Sequence, residues 1–560
     1  MRRLSPRARS ALAVALVLVA FGLPLRGLLR GPGPPMEEGF MLVFPERVLA
    51  GDLPNRDFLH LYGPGGLWLL AGVFKVFGVS LTAQRLVALA EQMALVFGVL
   101  LLARWWGWTI AVCCALASVL FIVPPIGLTA LAWVGAVGLG LLALVVGLES
   151  RRITDPVRAG RRAFGAGALL GIALLFRPDL VIAVTLSALV VLQGAPRTVQ
   201  RCLVAGLASG VSPYLIHFAT AGPANVIQGM VLDPVLYLRG GRQLPIPPPW
   251  NRFDGMLQKL SFFGALPWPI PTLSSPAQLA LWFHLVLGSV ALIVGVAAWA
   301  VRRDARGFRP RVLVTVAAFS VGILPQALQR ADSTHLAWVA CVVMALLPVV
   351  LLETALTRRV GPLPRRTSLL AGGAVLAAIA LLIPDFTLRK YTDYVLQSIG
   401  IHRHAYAIEH RGRTFLYGDE ADAIAARRVL EAVEHVARPG DRLFVGPSDL
   451  RRTPYGDAFF YFLLPQLTPA TYYIELDPGV ANASGSRLAE DLRSADLVIL
   501  SSAWDSWDEP NGSRKLGSDE PNRVVRELFC RVGTFDPHYE LYVRCERLRG
   551  PHGAGAGSGA

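Results

Sequence analysis

Charge is scarce in this chain. Asp, Glu, Lys and Arg make up 17% of its 560 residues, against 53% hydrophobic residues, and mean hydropathy is +0.48. That shortage excludes an ordinary soluble enzyme and points to a membrane protein. Cysteine is scarce too. Of six Cys, four (Cys113, Cys114, Cys202 and Cys341) lie in apolar runs, and Cys530 and Cys545 lie on two strand-like stretches that place them as a candidate pair. No CxxC or Cys/His spacing suits a metal, and no GxGxxG or P-loop follows a strand of the C-terminal part. The net charge of +15 comes almost entirely from Arg. The Arg residues stand in short clusters between apolar runs, which fits membrane orientation rather than nucleic-acid binding.

What the chain has in quantity is long hydrophobic runs. A membrane helix needs roughly 20 apolar residues. Spans are expected near 11–29, 82–103, 107–124, 126–148, 164–177, 179–194, 202–220, 277–300, 312–328, 335–354 and 368–384. That is about eleven helices, the fifth and sixth short enough to be a broken pair. The first run has Arg26 at its end and no small-x-small cleavage site, so it reads as a retained anchor.

Residues 66–78 are apolar but short and carry Lys75. Charge decides their placement. If they do not span, all the Arg-rich segments fall on one side: Arg2, Arg3, Arg7 and Arg9; Arg151, Arg152, Arg158, Arg161 and Arg162; Arg197 and Arg201; Arg302, Arg303, Arg306, Arg309 and Arg311; Arg358, Arg359, Arg365 and Arg366. The positive-inside rule then lays 66–78 along the interface and makes the N-terminus cytoplasmic. The loops 30–81 and 221–276, the turn 329–334 and everything after about 385 face outward.

The first outer loop concentrates polar chemistry. Glu37 and Glu38 follow a Pro/Gly hinge (GPGPP, 31–35). An amphipathic stretch with Phe40, Val43, Phe44 and Val48 comes next. Asp52, Arg56, Asp57, His60 and Tyr62 follow, closed by Gly63, Pro64, Gly65 and Gly66. A carboxylate held at a membrane surface is a candidate general base, because partial burial raises its pKa. The plain alternative is a pair of solvated acids favoured by a helix N-terminus.

The order of these features — acidic pair after the first span, L-x-G-x-x-P-x-R-D-F, Y-G-P-G, apolar surface helix, F-G-x-S — resembles the first outer loop of the GT-C superfamily of glycosyltransferases. Within it, the layout is similar to bacterial relatives of protein O-mannosyltransferases and of the aminoarabinose transferase acting on lipid A. In layout the resemblance covers residues 1–385, and its motifs lie within 36–86. It implies an enzyme that takes a sugar from a polyprenyl-phosphate carrier and passes it, with inversion, to a glycan, lipid or protein acceptor outside the cytoplasmic (plasma) membrane. Family members carry an essential acid, usually Asp, at the start of this loop. The matching position here is Glu37, followed by Glu38, and the Asp-to-Glu change leaves the base open among Glu37, Glu38 and Asp57. Some relatives use a divalent metal, for which the same three acids are the available oxygen ligands.

Other polar residues sit at membrane depth, where charges mark function or pairing. Arg177 and Asp179 flank Pro178 at a break between two apolar runs. They read either as a phosphate site or as an internal ion pair. Arg330, Asp332 and His335 form a second cluster, and a similar Arg-x-Asp-x-x-His pattern occurs in proteins that resemble this one. They suit phosphate contact, with a helix-capping turn as the alternative. Arg56, His60 and Tyr62 complete the candidate substrate- and phosphate-binding set. The outer loop 221–276 is Pro-rich and carries Tyr237, Arg239, Arg242, Trp250 and Trp268, suited to sugar contact or interfacial anchoring.

From about 385 the pattern turns to alternating strands and helices, an α/β reading. A strand pair turns at Arg411–Gly412. A helix follows at 421–436, then strands at 441–447 and 496–502, a helix at 522–530 and a final hairpin. Trp504, Asp505, Trp507, Asp508 and Glu509 lie in a loop after a strand end, where ligands often bind. The expected division is a mainly α, polytopic GT-C-like bundle over 1–384, an extracytoplasmic α/β domain over 385–550 read as an accessory platform, and a flexible tail over 551–560. The rivals to a transferase are a lipid-linked glycan transporter or flippase and a non-catalytic membrane assembly partner. The transporter would need ionisable residues through the bilayer and repeated halves.

Overall fold

The computed structural model describes residues 5–256, 258, 267–357, 365–401 and 405–548. Arg2, Arg3, Arg358, Arg359 and the tail 551–560, singled out above, lie outside the described residues. The first part is a bundle of apolar helices: α1 (Pro6–Arg30), α2 (Pro35–Leu49), α3 (Pro64–Phe77), α4 (Leu81–Ala103), α5 (Trp108–Ile126), α6 (Ala132–Ser150), α7 (Pro156–Phe176), α8 (Val181–Leu192), α9 (Arg197–Val211) and α10 (Pro213–Ala221), followed by helices at Ser275–Arg303, Phe308–Ile323 and Ser333–Val343. The chain is a multi-span membrane protein. Among the described residues nine helices are long and apolar enough to cross a bilayer, or ten with one bent pair.

All eleven expected spans fall on helices, with two corrections. The fifth is full length, because α7 starts at Pro156, capped by the Asp155 side chain on the Val157 N–H. It ends at Arg177, whose backbone is extended, since Pro178 has no N–H to continue the ladder. The run that follows, Pro178–Leu192, is a shorter apolar helix. The eleventh span does not end in a loop. It bends by 93° into a second arm, Pro384–Ser398, which lies against α1 through Tyr391 Oη to the Ala20 carbonyl at 2.6 Å and the Gly27 N–H to Ser398 Oγ at 2.8 Å.

Both ends of α3 lie at one end of the bundle. At its start, the Gly63 N–H donates to the Phe176 carbonyl, where α7 finishes. Just beyond its end, Arg85 in the first turns of α4 donates to the Leu28 and Leu29 carbonyls, where α1 finishes. A helix with both ends on one side runs across the bundle rather than through it. The Arg clusters gather at the opposite end. Arg152 lies over the Trp105 and Phe308 rings, Arg309 donates to the Trp105 carbonyl, and Arg104 and Arg162 share Glu149. Close packing between α7 and α9 requires glycine, since a Cβ at Gly167 or Gly206 would run into the carbonyls of Leu203 and Phe164.

The C-terminal part begins with a hairpin, β1 (Tyr406–His410) and β2 (Arg413–Tyr417). It turns on Arg411 and Gly412, both with positive φ (47° and 75°), as a two-residue hairpin loop requires. A helix at Glu420–Val436 follows. A five-stranded mixed sheet comes next, in the order β4-β3-β5-β7-β6, built from β3 (Arg442–Pro447), β4 (Thr468–Pro469), β5 (Leu497–Ser501), β6 (Phe529–Phe535) and β7 (Tyr539–Arg544). β3 is parallel to β4 and β5, and β7 is antiparallel to β5 and β6. Strand β5 is buried along its whole length. Cys530 and Cys545 are joined by a disulfide.

Candidate active site

The site starts with the first turn of α2. Pro34 in the N-cap position gives no side-chain hydrogen bond, and Pro35 opens the helix. Glu37 and Glu38 follow in the first turn, where the helix dipole favours acids. Consecutive helical residues point about 100° apart, and the two acids part company here. Glu38 turns into the bundle and is fully buried. It takes two bonds from Arg85, Nε to Oε1 at 2.8 Å and Nη2 to Oε2 at 2.9 Å. Glu37 stays half-buried and accepts from Tyr455 Oη at Oε2, 2.9 Å away. Burial pushes its carboxyl above the usual range. Its own backbone N–H, Tyr455 and Arg242 oppose that rise, and Asp332 adds to it.

The polar segment of the first loop is held apart from these acids. Asp57 accepts from the Leu53 N–H at 2.8 Å and from Arg56 Nη2 at 2.8 Å. Its carboxyl lies below the ordinary value: burial raises it, and the bonds from Arg56 and the Leu53 N–H outweigh that effect. His60 is buried among Phe44, Phe58 and Tyr62 rings. Burial, with His217 and Arg177 nearby, pulls its imidazole down to about 3, so it is neutral at physiological pH. Glu37, Glu38 and Asp57 therefore do not converge on one point. Among the described residues no group of three His, Cys, Asp or Glu side chains has metal-binding spacing, and the expected oxygen ligands do not fit a shared cation.

Three arginines surround Glu37's side of the molecule. Arg177, at the end of α7, lies over the Tyr62 ring at 4.6 Å and the Trp133 ring at 5.3 Å. Its Nε and Nη2 donate to Asp179 at 2.8 Å each. Among the described residues its Nη1 has no such acceptor, leaving a donor on the face away from Asp179. Arg242, from the loop after α10, pairs with Asp477 at 2.9 Å and donates to the Pro454 carbonyl at 3.3 Å. Arg330 is buried and makes four hydrogen bonds. Nε meets Asp332 at 2.7 Å, Nη1 meets the Arg242 carbonyl at 2.6 Å and Glu509 at 2.8 Å, and Nη2 meets Glu509 at 2.5 Å. Asp332 also caps the next helix, accepting from the His335 N–H and from its Nδ1 at 2.9 Å each. His335 in turn lies on the Trp338 ring at 4.5 Å.

The C-terminal part supplies a wall of this cluster. Burial together with Asp477 and Glu37 pushes the Glu475 carboxyl well above its usual range, against Arg242 and Arg177. That set of neighbours brings together the first loop, the α7 break, the loop after α10 and the segment 472–477. Sequence reading singled out Arg177, Arg330, Asp332 and His335 but missed Tyr455, Glu475 and Asp477. Two acids spaced by two in an apolar stretch, Glu475 and Asp477, were the available signal. Arg56 is largely exposed and paired with its neighbour Asp57.

A helical bundle with a surface-lying first-loop helix, joined to a C-terminal α/β part, is a GT-C-like fold. No family model matches the sequence, and no curated protein matches it. Among solved structures, the chain is similar in fold to ArnT from Cupriavidus metallidurans bound to undecaprenyl phosphate, with TM-score 0.50 and 12% identity over 97% of this chain and 99% of that one. It also aligns with the archaeal oligosaccharyltransferase AglB from Archaeoglobus fulgidus in complex with an inhibitory peptide and a dolichol-phosphate, with TM-score 0.47 and 12% identity over 89% of this chain and 70% of that one.

Proposed function

We propose that the chain is a membrane glycosyltransferase that moves a sugar from a polyprenyl-phosphate carrier to an acceptor at the extracytoplasmic face of the cytoplasmic membrane. The observation that carries this reading is Glu37. One carboxylate oxygen, Oε2, is fixed by Tyr455. The side chain stands beside Arg242, Asp332 and Glu475, where four separate segments meet. In the proposed step the Glu37 carboxylate takes the proton of an acceptor hydroxyl. The acceptor oxygen forms a bond to the anomeric carbon as the bond from that carbon to the phosphate oxygen breaks. The electron pair leaves with the polyprenyl phosphate, and configuration inverts. Arg177, with Nη1 directed away from Asp179, donates to the phosphate as its charge develops. Arg330, whose bonds already tie Asp332 to Glu509, holds the site together rather than reaching the phosphate.

Two observations support the orientation. The Arg clusters gather at the end of the bundle away from Glu37, as the positive-inside rule expects for the cytoplasmic end. The Cys530–Cys545 disulfide suits an oxidising compartment outside the cytoplasm. The fold neighbour's bound undecaprenyl phosphate supports a carrier of that class. The test is transfer from a panel of radiolabelled polyprenyl-phosphate sugars to membrane acceptors, using the full chain in proteoliposomes. Transfer that disappears in Glu37→Gln, with folding intact, supports the reading. Absence of transfer from every donor, or undiminished transfer by Glu37→Gln, removes it.

A further inference from the structure

We infer that Tyr455 of the C-terminal part is a positioning residue for Glu37, fixing which carboxylate oxygen is presented to the acceptor and completing the site only when the two parts of the chain are docked. This rests on the reading of Glu37 as the base.

The first N–H groups of a helix have no partner within it. In α2 the N-cap is Pro34, which has no side-chain acceptor to offer. The missing acceptor comes from a residue 419 positions later: the Met36 N–H donates to Tyr455 Oη at 2.9 Å. That bond settles the direction of the phenol's own proton. With the oxygen accepting from Met36, the O–H donates to Glu37 Oε2, 2.9 Å away. The Tyr455 ring has no freedom to swing. It is fully buried and packed on Trp504 and Trp507 at centroid distances of 4.2 and 5.3 Å. Trp504 is itself pinned by its Nε1 on Asp457 Oδ1 at 3.0 Å. The docking is reinforced along the rest of α2. Arg413 meets Glu46 at 2.5 and 2.8 Å, and Arg47 donates to the Thr471 carbonyl at 2.9 Å. Gly39 lies so close to Ala458 and Phe459 that a Cβ there would sit 2.8 Å from the Phe459 nitrogen.

A hydrogen bond donated to a carboxylate stabilises the charged form. Glu37 is faced by Tyr455, Arg242, Asp332 and Glu475, with the paired Glu38 and Arg85 beside it. Tyr455→Phe removes one neutral donor from that set and leaves every charge in place. The fraction of Glu37 protonated at a given pH then rises.

The test uses the full chain in proteoliposomes. Dicyclohexylcarbodiimide reacts with protonated carboxyl groups, so the pH midpoint of its labelling at Glu37, read by mass spectrometry, follows that proton without needing a substrate. In Tyr455→Phe the midpoint is expected to rise by about one pH unit or more. Where transfer is measurable, the acid limb of kcat/KM moves up by the same amount, with donor KM unchanged. A midpoint that moves in a protein with no transfer upholds the coupling and removes the transferase reading beneath it. An unmoved midpoint overturns the inference whatever the activity. Should Tyr455→Phe be unstable, thermal unfolding of Glu37→Ala with and without Tyr455→Phe decides the matter. A coupled pair predicts a smaller loss on removing the hydroxyl when Glu37→Ala is already present, and equal losses in both backgrounds overturn it.

Discussion

Glu38 and Arg85 form a two-bonded ion pair with both side chains about 1% exposed. Arg85 Nη1 donates to the Leu28 and Leu29 carbonyls near the end of α1. The pair joins the first, second and fourth helices at one point. Removing either partner of a buried pair leaves an uncompensated charge and costs about 3–5 kcal/mol. Arg85→Ala and Glu38→Ala are each expected to lower the unfolding temperature sharply in detergent. If Glu38→Ala melts like the parent and merely slows turnover, Glu38 belongs to the chemistry instead.

Glu37 should behave in the opposite way. Its folded carboxyl lies above the unfolded value, so the folded state holds its proton more tightly than the unfolded one. Stability from this group is present when it is protonated and is lost as pH rises through the unfolded and then the folded pKa. Glu37→Gln is therefore expected to keep or raise the melting temperature at neutral pH while lowering turnover by about 10²–10⁴-fold. The acid limb of the wild-type rate profile should fall above the range of an exposed glutamate. A variant that loses turnover and melting temperature together would speak for a purely structural residue.

Arg177 donates through a planar fork and lies over two rings. Lysine reproduces the charge but neither the fork nor the stacking. Arg177→Lys is expected to lower kcat/KM for the lipid-linked donor by at least about tenfold. Steady-state kinetics with varied donor would show this, and equal kinetics for Arg and Lys would argue against phosphate contact.

Arg330 links the turn before the Ser333–Val343 helix to Glu509 in the C-terminal part. Glu509→Gln should loosen that link. Hydrogen exchange is expected to quicken around 504–514 and around 330–335, with smaller changes in the helix Glu420–Val436. Exchange that quickens in only one of the two regions would contradict a shared tie.

The spans were legible because a bilayer demands length and apolarity from each segment separately, and the Arg clusters oriented them without reference to tertiary contacts. The Arg177–Pro178 break was legible because proline acts on its own helix. The division of labour between Glu37 and Glu38 was not. Both acids have the same local sequence, and only the positions of Arg85 and Tyr455, far along the chain, separate them. Arg330 was visible as a charge at membrane depth, but its pairing with Glu509 depends on a loop 179 residues away. The bend after Leu382 was missed because Pro384 and Asp385 read equally well as a loop. What makes it a helix–helix corner is the bond from Gln278 to Asp385 at 2.9 Å.

The cap that Tyr455 places on α2 also carries a message about timing. Synthesis runs from the N-terminus, so every expected span is made before residue 455 leaves the ribosome. Until then the amide of Met36 has no phenol to meet and the neighbouring carboxyl has no fixed orientation. On the proposed reading of Glu37 as the base, a nascent chain threading into the bilayer is unfinished, and its site closes only with the last fifth, after the spans are already made.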